Sequence, residues 1–106
     1  MGLDIRFTQR KKNLCPHCGK FVNYTDVEEV ESGGRVWYEL LEIIGYYDPK
    51  SEHDDWYGKD MVLTEEQAKK VYKFIHIQDA YNCNEIIRLI AVALVEEDDI
   101  VINADW

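Results

Sequence analysis

The fold is decided by residues 3–30, which read LDIRFTQRKKNLCPHCGKFVNYTDVEEV. Apolar and polar residues alternate over residues 3–8, the period of a half-buried strand. Residues 21–30 are rich in Val, Tyr and Thr and predict a second strand. The Cys-Pro-His-Cys-Gly run at residues 15–19, called the knuckle below, lies between them. We therefore expect a zinc-knuckle-like hairpin, with Gly19 supplying the positive φ of its turn.

The remainder of the chain predicts three helices and a last strand. Residues 36–44 repeat apolar side chains at helical spacing. Residues 64–75 begin with a Thr-Glu-Glu-Gln capping box, and residues 82–95 begin with an Asn cap before an almost wholly apolar run. Residues 100–105 alternate again and are expected beside the first strand. The predicted domain is α+β, a three-stranded sheet with three helices packed on one face, in the order ββαααβ.

Length and composition predict one domain in a reducing compartment. The chain has 106 residues, 46% of them hydrophobic, enough for a single core over residues 1–106. The longest apolar run, residues 89–95, is too short to span a bilayer. Three cysteines, an odd number, and no visible secretory segment indicate free or metal-bound thiols. We therefore expect a cytoplasmic protein.

The charge is unevenly distributed and favours a basic partner. The net charge of −9 divides into +1 for residues 1–35 and −10 for residues 36–106. A chain this acidic is repelled by nucleic acid phosphates, so generic nucleic acid binding is disfavoured and a basic protein partner is expected. The local exception is a set of basic residues near the knuckle, formed by Arg6, Arg10, Lys11, Lys12 and Lys20.

Cys15 and Cys18 form half of a zinc site, because a closed structural site needs four ligands and there is no second close pair. The other two ligands would come from His53, His76, Cys83 or a second chain. A metal-free hairpin turn explains the same residues, and both alternatives stay open. Zinc binding, together with the basic set, would make the chain a nucleic-acid-binding module.

The knuckle also resembles the Cys-Pro-His-Cys active-site tetrapeptide of periplasmic disulfide oxidases of the thioredoxin fold. Such a motif needs a following helix to lower the thiol pKa. Residues 19–22 are strand-like instead, and Pro49, the other proline, lies in an acidic loop. The chain contains no phosphate-binding Gly-rich loop, nucleophile elbow or His-Glu-X-X-His motif. We therefore expect no enzymatic activity.

The loop of residues 46–60 combines aromatic rings with acids, a composition suited to contact with Arg or Lys side chains of a partner. Alternatively, its rings cover an edge of the core. The candidate partner-binding residues are Tyr46, Tyr47, Asp54, Asp55, Trp56 and Tyr57.

Four segments, residues 2–5, 15–19, 32–38 and 55–61, resemble a family of small uncharacterised proteins of bacteriophages and prophages. The resemblance implies a bacterial host cytoplasm and brings no known catalytic residues. With the charge pattern, it favours a non-enzymatic phage-type protein that binds a basic protein through its acidic helical side, for instance as a mimic of nucleic acid phosphates.

Overall fold

The computed structural model describes residues 3–47, 56, 58–76 and 82–105. The order of elements is ββαβααβ, which confirms the α+β class. The elements are β1 (Asp4–Leu14), β2 (Phe21–Gly33), α1 (Val36–Ile43), β3 (Asp60–Val62), α2 (Glu65–Ile75), α3 (Cys83–Glu96) and β4 (Asp99–Asp105). Within the described residues, no helix is long and apolar enough to cross a membrane.

The sheet has four strands in the order β2-β1-β4-β3, and every neighbouring pair is antiparallel. The last strand lies beside the first, as predicted, with Ile5 opposite Ala104. The three-stranded sheet was wrong because β3 adds a fourth strand, pairing Met61 with Ile102. Three residues are too few to display the alternation from which a strand is recognised.

The core lies between the helices and one face of the sheet. Ile5 and Phe7 of β1 project onto this face, and the fully buried Trp37 of α1 packs against Phe7 with ring centroids 5.5 Å apart. The Trp37 indole N–H donates to the Ser32 hydroxyl at 3.0 Å, so the buried ring keeps its polar atom paired. Asp4 and Arg6 of β1 lie on the outer face and are exposed.

The two predicted helix caps have different outcomes. Thr64 and Gln67 form the expected capping box, and the Gln67 side chain also donates to the Ile44 carbonyl at 2.8 Å, joining α2 to the end of α1. Asn82 is at the N-cap position of α3, as predicted, but its side chain makes no capping hydrogen bond. Asn82 is left-handed, with φ 62°, and its side chain donates to the Glu31 carbonyl of β2 at 2.8 Å.

The β1–β2 hairpin is longer than the sheet that supports it. Strand β4 pairs with β1 only from Asp4 to Arg10, whereas β2 pairs with β1 as far as Leu14. Residues 11–25 therefore form a two-stranded ribbon that projects beyond the four-stranded sheet, and we call these residues the arm. The knuckle is its tip.

Candidate functional site

The knuckle is a tight, hydrogen-bonded turn. The Cys15 amide donates to the Lys20 carbonyl and the Gly19 amide donates to the Cys15 carbonyl, both at 2.8 Å. Gly19 has φ 70°, which confirms the reason given for a glycine at this position. Cys18 is exposed and Cys15 is half-buried, so both thiols can be reached from solvent.

The turn also lowers the pKa of the Cys15 thiol. The backbone N–H groups of His17 and Cys18 and the thiol of Cys18 all hydrogen-bond to the Cys15 sulfur, and they lower the pKa of this thiol, the His17 amide most, against a small opposing effect of burial. Hydrogen bonds to a thiolate favour its charged form, which is the form that binds metals. The arrangement therefore suits a metal ligand.

Cys83 and His76, two of the other ligands considered from the sequence, do not join the knuckle. Within the described residues, no group of three or more His, Cys, Asp or Glu side chains is placed to hold a metal ion. Cys83 is buried in the core at the start of α3, and His76 packs edge-on against Tyr72 after α2. His53 lies outside the described residues. Zinc binding by Cys15 and Cys18 therefore stays a prediction.

The arm has an apolar face that the sequence did not single out. Lys12 lies opposite Tyr24 and Leu14 opposite Phe21, so all four side chains share one face. Phe21 and Tyr24 have ring centroids 4.6 Å apart, and the Arg10 guanidinium lies 5.6 Å from the Tyr24 ring. Leu14, Phe21 and Tyr24 are 56%, 52% and 49% exposed. We call these four residues, Lys12, Leu14, Phe21 and Tyr24, the aromatic face.

The opposite face of the arm is polar. The Asn13 amide donates to the Asn23 side chain and to the Thr25 hydroxyl, both at 2.7 Å, and Lys11 lies on the same face. The two faces thus differ sharply, although neither is covered by a helix in the described structure. Leu14, Phe21 and Tyr24 therefore lie on one side of the ribbon, and the hydrogen bonds of Asn13 lie on the other.

The basic set predicted near the knuckle is partly neutralised. Arg6 forms ion pairs with Glu29 at 2.9 Å and Glu31 at 3.1 Å, and Arg10 pairs with Asp26 at 2.8 Å.

The lysines of the arm carry its positive charge. In the described structure, Lys11 and Lys20 form no ion pair, and Lys12 lies 3.7 Å from Asp99. Residues 11–25 carry +3 and no acid, so the rest of the chain carries −12. The structure therefore places opposite charges on the arm and on the remainder of the molecule, called the body below.

The predicted contact loop contains a core residue. Tyr46 is 2% exposed; its hydroxyl donates to the Lys59 carbonyl at 2.6 Å and accepts from the Ala104 amide at 2.9 Å. Burial raises the pKa of Tyr46, while the hydrogen bond to the Ala104 backbone opposes that shift. A ring this buried cannot be offered to a partner, so the role predicted for Tyr46 does not fit its position.

Tyr47 and Trp56 are less buried than Tyr46. Tyr47 is half-buried and packs edge-on against Tyr38, with ring centroids 5.3 Å apart. Trp56 is exposed and lies 6.0 Å from the Tyr46 ring, at the margin of the core. Asp54, Asp55 and Tyr57 lie outside the described residues. Comparison of the chain with protein-family models, with curated proteins and with solved structures finds no match.

Proposed function

We propose that the chain is a non-enzymatic binding protein that holds a protein partner against the aromatic face of its arm. The observation that carries this proposal is the exposure of Leu14, Phe21 and Tyr24 together on a projecting ribbon. Contiguous exposed apolar residues on a small protein mark contact surfaces, and aromatic side chains are enriched among the residues that dominate binding energy. Val22, next to Phe21 in the chain, is also 60% exposed.

The opposite charges of the arm and the body suit different partners. A partner of the arm would present an apolar patch with acids at its rim, because the arm carries +3 and no carboxylate. The basic partner proposed from the sequence would instead meet the body. Exposed carboxylates that form no ion pair in the described structure support this second contact, for example Glu39 and Glu42 of α1 and Glu96 of α3.

Nucleic acid binding is the second candidate, and one observation favours it. Phe21 and Tyr24 share a slender ribbon with Lys11, which lies on its opposite face, and with Lys20, and neither lysine forms an ion pair in the described structure. Stacking of a base on an aromatic side chain contributes about 1–3 kcal/mol, and lysines follow the phosphate backbone. A short single strand could contact the arm alone, whereas a long duplex would also approach the body, whose −12 charge repels it.

A double variant, Phe21→Ser with Tyr24→Ser, tests the proposal. Binding to proteins from a bacterial extract should fall by about tenfold or more, as for the loss of aromatic anchors at an interface. The matched control is Val95→Ser, because Val95 is 80% exposed but lies on α3, away from the arm. The control should bind like the original chain. Equal binding by the arm variant would refute the proposal.

Fluorescence anisotropy with labelled oligonucleotides separates the two candidates. If the partner is a protein, neither single-stranded nor duplex DNA should bind at physiological salt. Single-strand binding that weakens with salt, and is lost in both Tyr24→Ser and the Lys11→Gln, Lys20→Gln double variant, would establish the nucleic acid candidate instead.

A further inference from the structure

We propose that two copies of this chain join tip to tip through one zinc ion, held by Cys15 and Cys18 of each copy. Zinc in structural sites takes four ligands in a tetrahedron, and the knuckle supplies two. A second copy related by a two-fold axis supplies the same two thiols, which completes the site without any further residue type.

The local geometry of the knuckle suits this site. Tetrahedral coordination with Zn–S bonds of about 2.3 Å places two sulfurs about 3.8 Å apart. The Cys15 amide donates to the Lys20 carbonyl and the Gly19 amide donates to the Cys15 carbonyl, both at 2.8 Å, so both cysteines are held on one tight turn. Four thiolates around Zn²⁺ leave a net charge of −2. Lys20, next to the turn, would partly offset it.

The described residues that follow His53 in the chain lie far from the tip. They begin with Trp56 and Gly58, and the Gly58 amide donates to the Ala104 carbonyl. Ala104 lies opposite Ile5, nine residues along β1 from Leu14. At about 3.3 Å per residue, Ile5 and the opposite Ala104 are therefore about 30 Å from Leu14, the last residue of β1 before the tip.

Cys83 is also far from the tip. It follows Asn82, whose side chain bonds to Glu31, and Glu31 lies opposite Arg6 near the beginning of β1. It is also buried in the core, where it could not be reached without opening the fold.

The shape of the arm permits two tips to meet. The knuckle projects beyond the sheet, and Pro16, His17 and Cys18 are all exposed. Leu14 and Phe21, the last pair before the turn, would be partly buried when the tips meet. Such a contact is much smaller than the roughly 1,200 Å² of a stable interface, so the metal would be required for dimerisation. The net charge of −2 on the completed zinc–thiolate site would also reduce the repulsion between two arms that each carry +3.

This inference does not rest on the proposed function, because the zinc would be held by Cys15 and Cys18, which are not part of the aromatic face. The dimer would carry two acidic bodies and two aromatic faces, each partly covered near the tip at Leu14 and Phe21. Partner binding could therefore persist if the zinc dimer failed, and the reverse also holds.

The test uses the full chain, kept reduced, stripped of metal and then titrated with ZnSO₄. Elemental analysis should give one zinc per two chains, and light scattering should show a dimer that reverts to monomer when a chelator is added. With Co²⁺ in place of zinc, the absorption spectrum should show tetrahedral coordination by four thiolates. Cys15→Ser and Cys18→Ser should each abolish metal binding and dimerisation, with circular dichroism confirming that the variants stay folded.

Cys83→Ser is the matched control, because it removes a cysteine that the proposal excludes from the site. It should retain the zinc and the dimer. One zinc per monomer would overturn the proposal, as would a folded chain that binds no zinc or a dimer that chelation leaves intact.

Discussion

Replacing Tyr46 with Phe removes a single oxygen atom and decides whether this residue serves the core or a partner. Its hydroxyl is bonded to the Lys59 carbonyl at 2.6 Å and to the Ala104 amide at 2.9 Å. In Tyr46→Phe the ring still fills its place, but the buried Ala104 amide loses its partner. A buried group left unpaired costs about 1–3 kcal/mol, and the exposed Lys59 can bond to water instead. We therefore expect the free energy of unfolding to fall by about 2 kcal/mol.

Urea unfolding, followed by tryptophan fluorescence, measures this loss, because Trp37 is fully buried in the folded state. In a domain of this size, a loss of about 2 kcal/mol lowers Tm by roughly 8–16 °C. Tyr24→Phe is the control: the ring of Tyr24 lies on the exposed arm, so removing its hydroxyl should change the stability by less than about 0.5 kcal/mol.

The pH dependence gives an independent check. Burial raises the pKa of Tyr46 in the folded state, so the unfolded chain loses this proton first as the pH rises. The stability that the neutral hydroxyl contributes is therefore fully present below about pH 10 and declines above it. Tyr46→Phe should lack this part of the alkaline decline. A substitution that leaves stability unchanged but abolishes partner binding would refute the assignment of Tyr46 to the core.

Two further predictions concern the capping box and the arm. Thr64→Ala should cost about 1 kcal/mol in urea unfolding, because the Gln67 amide loses its acceptor, whereas Thr64→Ser should cost less; equal losses would contradict the cap. Replacing residues 13–23 with Asn-Gly should leave Tm within a few degrees of the original and abolish metal binding, since the body does not depend on packing against the arm. An unfolded product would show instead that the arm is part of the folding unit.

Hydrophobic periodicity predicted the elements whose faces are buried, and it could not predict the others. Strand β1 alternates over residues 3–8 because Ile5 and Phe7 enter the core while Arg6 does not. Beyond Arg10 neither face of the hairpin is covered by a helix in the described structure, so no alternation was required there. The length of the arm depends instead on where β4 stops pairing with β1. The sequences of β1 and β2 do not show that position.

Tyr46 and the knuckle show which features of the candidate sites a sequence can and cannot predict. Aromatic rings among acids indicate a surface loop, but a tyrosine can be buried wherever backbone groups satisfy its hydroxyl, as Lys59 and Ala104 do for Tyr46. The knuckle was predictable because its hydrogen bonds are local, from Cys15 to Lys20 and from Gly19 to Cys15. Its missing ligands were not predictable, because they depend on which distant residues the fold brings to the tip.

The edge strand β2 provides an argument that the arm is a contact surface and not simply an overlong hairpin. Exposed strand edges invite unwanted pairing, and proteins protect them with charges or covering groups. The half of β2 beside the body is protected: Asp26, Glu28 and Glu29 all form ion pairs, and the Asn82 side chain occupies the Glu31 carbonyl.

This protection ends where the arm begins. Residues 21–25 carry no charge, and three of the five are exposed apolar or aromatic side chains, Phe21, Val22 and Tyr24. Strand β2 thus carries charged side chains along the body and none along the arm. If the exposed edge of β2 had no function, it would need protection most along the arm, where the strand projects beyond the sheet. The lack of charged residues there therefore favours a surface that binds a partner.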